Sequence, residues 1–216
     1  MIEVIIFDLD GLLIDSQHLQ YKAVSQTFIE KGYSLTEKNW HRWVHENISF
    51  KEWVQLNNLP LEIENLRARK KEIYDELIKK ELKLKPGANI LINLLEGKYR
   101  LAAASSSRIE SIELSINKFN LKSKFEHLIS DGFLGKKKPN PEVFLHVAKI
   151  MEVKPDSCLV FEDSLAGLQA AKSAGMKCIV CPDRFIHLSR KLFANADKIV
   201  NTLDEVSLEM IKELEK

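Results

Sequence analysis

Short apolar runs alternate along this chain with longer segments of helical periodicity. The apolar runs predict strands at residues 3–7, 100–104, 127–129, 157–161, 177–181 and 198–200. Segments with apolar residues three and four positions apart predict helices between them, at 88–95, 109–119, 142–151 and 165–174. Continuously apolar strands separated by helices are typical of a parallel sheet covered on both faces. The pattern therefore predicts an α/β fold, with a Rossmann-like parallel sheet core and helices on both faces.

One long segment after the first strand interrupts this alternation. Residues 16–85 show no strand pattern and predict only helices, at 21–31, 37–45, 50–56 and 61–82. The sheet pattern resumes after Pro86 and Gly87. We therefore expect an α/β core formed by residues 1–15 and 86–216, with an inserted α-helical cap domain formed by residues 16–85.

Composition and charge argue against several classes of function. The chain has 216 residues, and its 32 Lys and Arg against 31 Asp and Glu give a net charge of +1. Bulk attraction to nucleic acid or to an anionic membrane needs a basic excess. No apolar run approaches the roughly 20 residues that cross a bilayer, and no signal peptide is recognisable. We therefore predict a cytoplasmic protein without a nucleic-acid or membrane partner, and nothing in the pattern requires more than a monomer.

Polar residues follow the predicted strands at the sheet edge where open parallel sheets bind their ligands. In chain order these residues are Asp8, Asp10, Ser105, Ser106, Lys138, Glu162 and Asp163. Acids that converge there would repel each other unless a cation lies among them, and oxygen ligands favour a hard ion such as Mg²⁺. A serine and a lysine nearby would supply a hydrogen bond and a positive charge to a phosphate group. Each short motif alone is also compatible with a turn or a helix cap, but together they favour a phosphate site.

The same residues resemble the four motifs of the haloacid dehalogenase (HAD) superfamily. The matching segments are residues 8–16, Ser105, residues 138–141 and residues 160–167. Their order is that of the branch that contains small-molecule phosphatases and β-phosphoglucomutase. The helical insertion also falls where that branch has its cap.

The resemblance implies a role for each position. Asp8 would be the nucleophile that forms an aspartyl-phosphate, and Asp10 would protonate the leaving oxygen and then activate water. Phosphate would be bound by Ser105, Ser106 and Lys138. Mg²⁺ would be held by Asp8, the backbone carbonyl of Asp10, Glu162 and Asp163, with Asp163 the surer ligand of the last two.

We therefore expect a Mg²⁺-dependent phosphatase that acts on a small phosphorylated metabolite, with a sugar phosphate as the favoured class. Asp10 supports ester hydrolysis, since the dehalogenase and phosphonate-cleaving branches lack an acid at that position. Phosphotransfer of the β-phosphoglucomutase type is an alternative, but the mutase uses a histidine where this chain has Gln20. A phospho-signalling receiver and an inactive, binding-only relative are non-enzymatic alternatives. Receivers lack a cap and place their aspartate after a middle strand.

The cap is expected to select the substrate, because a cap that closes over a site contacts the leaving group. The loop around residues 45–51 is predicted to face the core. Asn47 and Lys51 are its candidate substrate contacts. Trp40, Trp43 and Trp53 are interpreted as packing residues of the cap.

Overall fold

A six-stranded sheet forms the centre of the computed structural model, which describes residues 1–215. Its strands are β1 (Val4–Phe7), β2 (Arg100–Ser105), β3 (His127–Ser130), β4 (Cys158–Glu162), β5 (Lys177–Val180) and β6 (Lys198–Ile199). All pairs are parallel, and the strand order is β3-β2-β1-β4-β5-β6. The predicted α/β sheet is confirmed. The chain order reverses between β1 and β4, so the carboxyl end of β1 faces the crevice in which such sheets bind ligands.

Helices cover the sheet and form most of the segment between β1 and β2. They are α1 (Gln17–Ile29), α2 (Glu37–His45), α3 (Phe50–Leu56), α4 (Ile63–Glu81), α5 (Ala88–Leu95), α6 (Ile109–Lys118), α7 (Asp131–Leu134), α8 (Glu142–Ile150), α9 (Leu165–Ser173) and α10 (Leu208–Leu214). The predicted helices are all present. The sequence pattern missed α10 and also α7, whose 4 residues are too few to show a helical period.

Strand β1 shows how the sheet is buried on both faces. Its four residues, Val4, Ile5, Ile6 and Phe7, are each 0% exposed. Ile5 and Phe7 join the apolar cluster on one face, to which α5, α6 and α10 contribute. Val4 and Ile6 join the cluster on the other face, with α8 and α9. This division follows from the alternation of side chains along a strand, and burial of each such side chain contributes roughly 1.5–3 kcal/mol.

The helical region between β1 and β2 forms a cap-like insertion with its own apolar cluster. This cluster contains all three tryptophans. Trp43 stacks on Trp53, with ring centroids 4.9 Å apart, and Trp40 lies 5.7 Å from Trp43. The interpretation of these residues as packing residues is confirmed. No helix within residues 1–215 is both long and apolar enough to cross a membrane.

Two chain segments run side by side where the helical region begins and ends. The Asp15 N–H donates to the Lys83 carbonyl, and the Lys85 N–H donates to the Leu13 carbonyl, both at 2.9 Å. We propose this pair of segments as the boundary between core and cap, in agreement with the predicted divisions at residues 15/16 and 85/86. Lys216, the last residue of the predicted core, lies outside the described residues.

Candidate active site

Asp8 and Lys138 form the centre of the site. Asp8 follows β1, and its N–H donates to the Phe161 carbonyl of β4 at 2.9 Å. The Lys138 Nζ lies 2.6 Å from Asp8 Oδ1 and 2.6 Å from Glu162 Oε1. It also donates to the Ala104 carbonyl at 3.0 Å. Since the Asp8, Lys138 and Glu162 side chains are all buried, these contacts fix one ammonium group between two carboxylates away from water.

Burial and charge act in opposite directions on the central pair. Burial raises the pKa of Asp8 well above its ordinary value; Lys138 opposes this effect, and Glu162 adds to it. Burial alone would lower the pKa of Lys138, but its ion pairs with Asp8 and Glu162 outweigh this and raise the pKa. The ion pairs therefore favour the charged form of Lys138 beside Asp8.

Three carboxylates converge around this lysine. One oxygen each from Asp8, Glu162 and Asp163 lies within 4.8 Å of the others, and in residues 1–215 no other group of His, Cys, Asp and Glu does so. Burial raises the pKa of Asp163 well above its ordinary value, and the charges of Asp8 and Glu162 raise it further. Three buried acids lie around a single lysine, so one positive charge has to balance up to three negative ones. An oxygen-only donor set of this kind fits a hard divalent cation.

Glu162 is also held by the start of α9. Its Oε2 accepts the N–H groups of Asp163 and Ser164 at 3.1 and 3.2 Å and the Ser164 hydroxyl at 3.0 Å. A Cβ at Gly167 would lie 1.9 Å from the Glu162 carboxylate. Glycine at position 167 is therefore what allows Glu162 to lie against the helix.

Asp10 lies outside the three-acid cluster and is held by four hydroxyl groups. Its Oδ1 accepts from Ser16 at 2.7 Å and from Tyr74 at 3.1 Å. Its Oδ2 accepts from Ser105 at 2.9 Å and from Ser107 at 2.7 Å. Because Tyr74 belongs to α4, this carboxylate connects the strand ends to the helical region. Sequence reasoning missed Tyr74, since nothing in the sequence distinguishes it from a packing residue.

The carbonyl oxygen of Asp10, the part of this residue predicted to bind metal, accepts a hydrogen bond from Gln17 Nε2 at 3.3 Å. The Asp10 side chain and its carbonyl therefore both have protein partners. The close turn after Asp10 depends on Gly11, whose φ is +90° and where a Cβ would lie 2.1 Å from Asp163 Oδ2.

The serines after β2 have different surroundings. Ser105 is 0% exposed. Its hydroxyl accepts the Ser107 N–H at 3.0 Å and donates to Asp10, so in this structure it holds the Asp10 carboxylate. Ser106 lines the cavity described below, and its hydroxyl donates to Asp131. Ser107 lines the same cavity, although sequence reasoning did not select it.

Asp131 is a second residue that sequence reasoning missed. It is 0% exposed, and its Oδ2 accepts both the Ser106 hydroxyl and the Lys138 N–H, the latter at 3.2 Å. It therefore orients the loop that carries Lys138. The rule that found the other acids could have found it, since Asp131 directly follows β3.

A cavity of about 780 Å³ lies between the strand ends and the helical region. Asp8, Asp10, Asp163 and Lys138 line its core side. Asn47 also lines it, and its Nδ2 donates to the Lys138 carbonyl at 3.2 Å. The structure therefore brings Asn47 to the site. Lys51 is exposed and does not line the cavity, because it points outward from the first turn of α3.

Lys70 of α4 adds a positive charge to the cavity wall. Its Nζ lies 2.5 Å from Gln20 Oε1 and 4.6 Å from the centroid of the Tyr74 ring. Burial lowers the pKa of Lys70 to about 8. Sequence reasoning missed this role, because a helix rich in Lys and Glu predicts a solvated face.

A parallel sheet whose strand ends carry a carboxylate cluster, beside a cavity lined by a helical insertion, is the architecture of a capped, Rossmann-like α/β protein with a candidate active site at its strand ends. The sequence model of the haloacid dehalogenase-like hydrolases matches residues 5–181. The chain belongs to this family and is an enzyme of the hydrolase class.

Known proteins resemble the chain over most of its length. A phosphorylated carbohydrates phosphatase of Thermotoga maritima is 31% identical over 186 residues, which cover 82% of this chain and 83% of the relative. The crystal structure of CbbY from Rhodobacter sphaeroides in complex with phosphate has a TM-score of 0.87 and 28% identity, covering 98% of this chain and 100% of that one. A structure of mutant CbbY with xylulose-(1,5)bisphosphate has a TM-score of 0.86 and 27% identity, covering 97% and 99%.

Lys70 should make anion binding in the cavity dependent on pH. As the pH rises through 8 its ammonium loses a proton, so the Kd of sulfate, whose charge is constant in this range, should rise about fivefold between pH 7 and 9, or about 1 kcal/mol. Lys70→Arg stays charged and should remove most of this change. Calorimetric titration at both pH values measures it, with Lys51→Arg as the exposed control. An equal rise in the Lys70→Arg variant would contradict the assignment.

Proposed function

We propose that this enzyme is a Mg²⁺-dependent phosphatase that hydrolyses a small phosphorylated metabolite, with a sugar phosphate as the substrate class. The observation that carries the proposal is the contact of Asp8 with Lys138 at 2.6 Å inside a buried acid cluster. The similar proteins support it, since one is a phosphatase of phosphorylated carbohydrates and the CbbY structures contain phosphate or a sugar bisphosphate.

Asp8, Glu162 and Asp163 are the residues that would hold Mg²⁺, and the carbonyl of Asp10 is the remaining candidate ligand. Both oxygens of Glu162 already have protein partners, whereas the Asp163 side chain lines the cavity, which favours Asp163 as the surer ligand. When bound, Mg²⁺ would neutralise negative charge on the phosphoryl oxygens and on the carboxylates around them.

Asp8 is the nucleophile in this proposal. A carboxylate approaches a phosphate dianion only where positive charge offsets their repulsion, and the buried ammonium of Lys138 supplies it at Asp8 Oδ1. An Asp8 oxygen forms a bond to phosphorus, and the bond from phosphorus to the ester oxygen breaks. The product is an aspartyl-phosphate on Asp8.

Asp10 is the general acid and base. It gives its proton to the leaving oxygen in the first step, and in the second it takes a proton from the water that attacks phosphorus and releases Asp8. Its four hydroxyl partners can bond to both the ionised and the protonated form of Asp10, because a hydroxyl group donates to a carboxylate and accepts from a carboxylic acid. One of these hydroxyls belongs to Tyr74 of α4, so the helical region contributes a contact to the proposed acid and base.

Phosphate binding and substrate contact complete the set of proposed roles. Lys138 would bond to the transferred phosphoryl group, with Ser106 and Ser105 as the predicted hydroxyl donors. In this structure both hydroxyls are bonded to aspartates. Asn47 is the proposed substrate contact from the cap, since it lines the cavity.

The mutase alternative is disfavoured by Gln20. A glutamine side chain has no titratable group, so it cannot move a proton to and from a sugar as a histidine does. Here Gln20 accepts a hydrogen bond from Lys70. Tests for glucose 1-phosphate and glucose 6-phosphate interconversion with a sugar bisphosphate activator distinguish the two reactions.

Phosphate release from a panel of phosphate esters tests the proposed function. We expect turnover with Mg²⁺ and a loss of at least about a hundredfold after chelation, because charge stabilisation by a metal contributes several kcal/mol. Restoring Mg²⁺ should restore turnover. Full activity in the presence of chelator would contradict the metal-dependent mechanism, and no release from any ester would contradict a phosphatase.

Asp10→Asn tests the acid role separately. The variant keeps the shape of the side chain but cannot donate the same proton, and general acid catalysis contributes roughly 10²–10⁴-fold. We expect a loss in that range with ribose 5-phosphate and a much smaller loss of the first step with p-nitrophenyl phosphate, whose leaving group needs little protonation. Pre-steady-state bursts of sugar and p-nitrophenolate measure this step. Equal losses with both esters would argue against the assignment.

A further inference from the structure

Three histidines lie together where the cap meets the core, outside the acid cluster. His41 and His45 are one turn apart on one face of α2, and His187 belongs to the loop that follows β5. The centroid of the His41 ring lies 5.5 Å from that of His187 and 6.4 Å from that of His45. Two imidazoles on one tetrahedral Zn²⁺ have centroids roughly 5 Å apart, given Zn–N distances of about 2.0–2.1 Å. The three rings are therefore near the spacing of ligands that share a metal ion.

His41 has a buried ring nitrogen without a partner. Its Nε2 makes no hydrogen bond to any residue in the described part of the chain, and a buried polar atom of this kind destabilises a fold unless something binds it. Burial lowers the pKa of His41, and the charges of His187 and His45 lower it further. The neutral ring is therefore favoured. Its unprotonated nitrogen carries a lone pair, and this is the form of histidine that binds a metal ion.

The hydrogen bond of His45 leaves its other ring nitrogen available to a metal ion. Its Nε2 lies 3.0 Å from the carbonyl oxygen of Ile186. A carbonyl only accepts, so Nε2 carries the proton in this contact, and in the neutral ring Nδ1 carries a lone pair. Histidines that bind metal ions almost always donate their other N–H to a carbonyl or a carboxylate. The contact with Ile186 is therefore of the kind that supports a metal-binding histidine.

The ligand atoms of the three histidines do not yet converge in this structure. Among the described residues, only the acid cluster brings three such atoms within 4.8 Å of one another. Because His45 and His187 are exposed, a small rotation of their rings towards His41 can close the gap without repacking the interior. Imidazole nitrogens suit Zn²⁺, whereas the oxygens of the acid cluster suit Mg²⁺. The two sets of ligands therefore favour different ions.

We propose that His41, His45 and His187 form a second metal site, which binds a divalent cation such as Zn²⁺ and links the cap to the core. Two ligands come from α2 of the cap, and the third comes from the loop after β5. That loop already packs on the cap, since its Ile186 belongs to the apolar cluster of the cap. The bound ion therefore restrains α2 against the core. This site does not depend on the phosphatase function proposed above.

Calorimetric titration of Zn²⁺ into the Mg²⁺-saturated protein, in a buffer without phosphate, tests the site. We expect His187→Asn and His41→Gln each to weaken Zn²⁺ binding at least about tenfold, because loss of a ligand costs no less than loss of a group that supports one. Asparagine suits position 187, whose φ of +55° lies in the left-handed region, and glutamine is a good helix former. His146→Gln is the matched control, a half-buried histidine of α8, and should leave the affinity unchanged.

Hydrogen exchange tests the link between cap and core. Zn²⁺ should slow amide exchange in α2 and in residues 185–188 of the wild-type protein but not of His187→Asn, because only the bridged form restrains both segments. Thermal unfolding checks that the variants are folded.

Three results would overturn the inference. Equal Zn²⁺ affinity in the wild type and in both histidine variants would exclude the site. Loss of binding in Asp163→Asn, with binding kept in the histidine variants, would place the ion at the acid cluster. Loss in His41→Gln but not in His187→Asn would leave a site on α2 alone, without the link to the core. None of these results bears on phosphate release, which tests the proposed function separately.

Discussion

The buried contact of Lys138 with Asp8 and Glu162 is the interaction on which the rest of the site depends. It needs three adjacent strands: β1 presents Asp8, β4 presents Glu162, and Ala104 of β2 supplies the carbonyl that accepts the third hydrogen bond. Only the central order β2-β1-β4 brings these groups together. Removing one member would leave a buried charge without its partner, at a cost of about 3–5 kcal/mol. The contact therefore depends on the order of the central strands.

The sheet, the cap and the core acids could be predicted from the sequence, because each is marked by a pattern of residues along a short stretch of chain. The carboxyl ends of parallel strands meet at one edge of the sheet. The sequence alone therefore predicts that Asp8, Glu162 and Asp163 lie close together. Lys70 and Tyr74 could not be found in this way. Their roles depend on which face of α4 packs over the site, a tertiary property. The loop position of Lys51 predicts a substrate contact, but the first turn of α3 carries its side chain outward.

The cap covers the site and also contributes side chains to it. Tyr74 holds Asp10 from one side, while Asn47 contacts the loop of Lys138 from another. The same insertion lines the far end of the cavity with tryptophans that also form its own core. Side chains that pack the cap therefore also line part of the cavity. The charges of this near-neutral chain are separated locally, with the Lys138 ammonium at the acid cluster and aromatic rings at the cap end of the cavity.

The most direct test of the central claim is chemical trapping of the covalent intermediate on Asp8. Borohydride reduces an aspartyl-phosphate to homoserine, and peptide mass analysis locates the change. During turnover of p-nitrophenyl phosphate with Mg²⁺, the account predicts homoserine at position 8, none there without substrate, and none in Asp8→Asn. Phosphate release that continues with no reduction at position 8, or with reduction at Asp10 instead, would contradict Asp8 as the nucleophile.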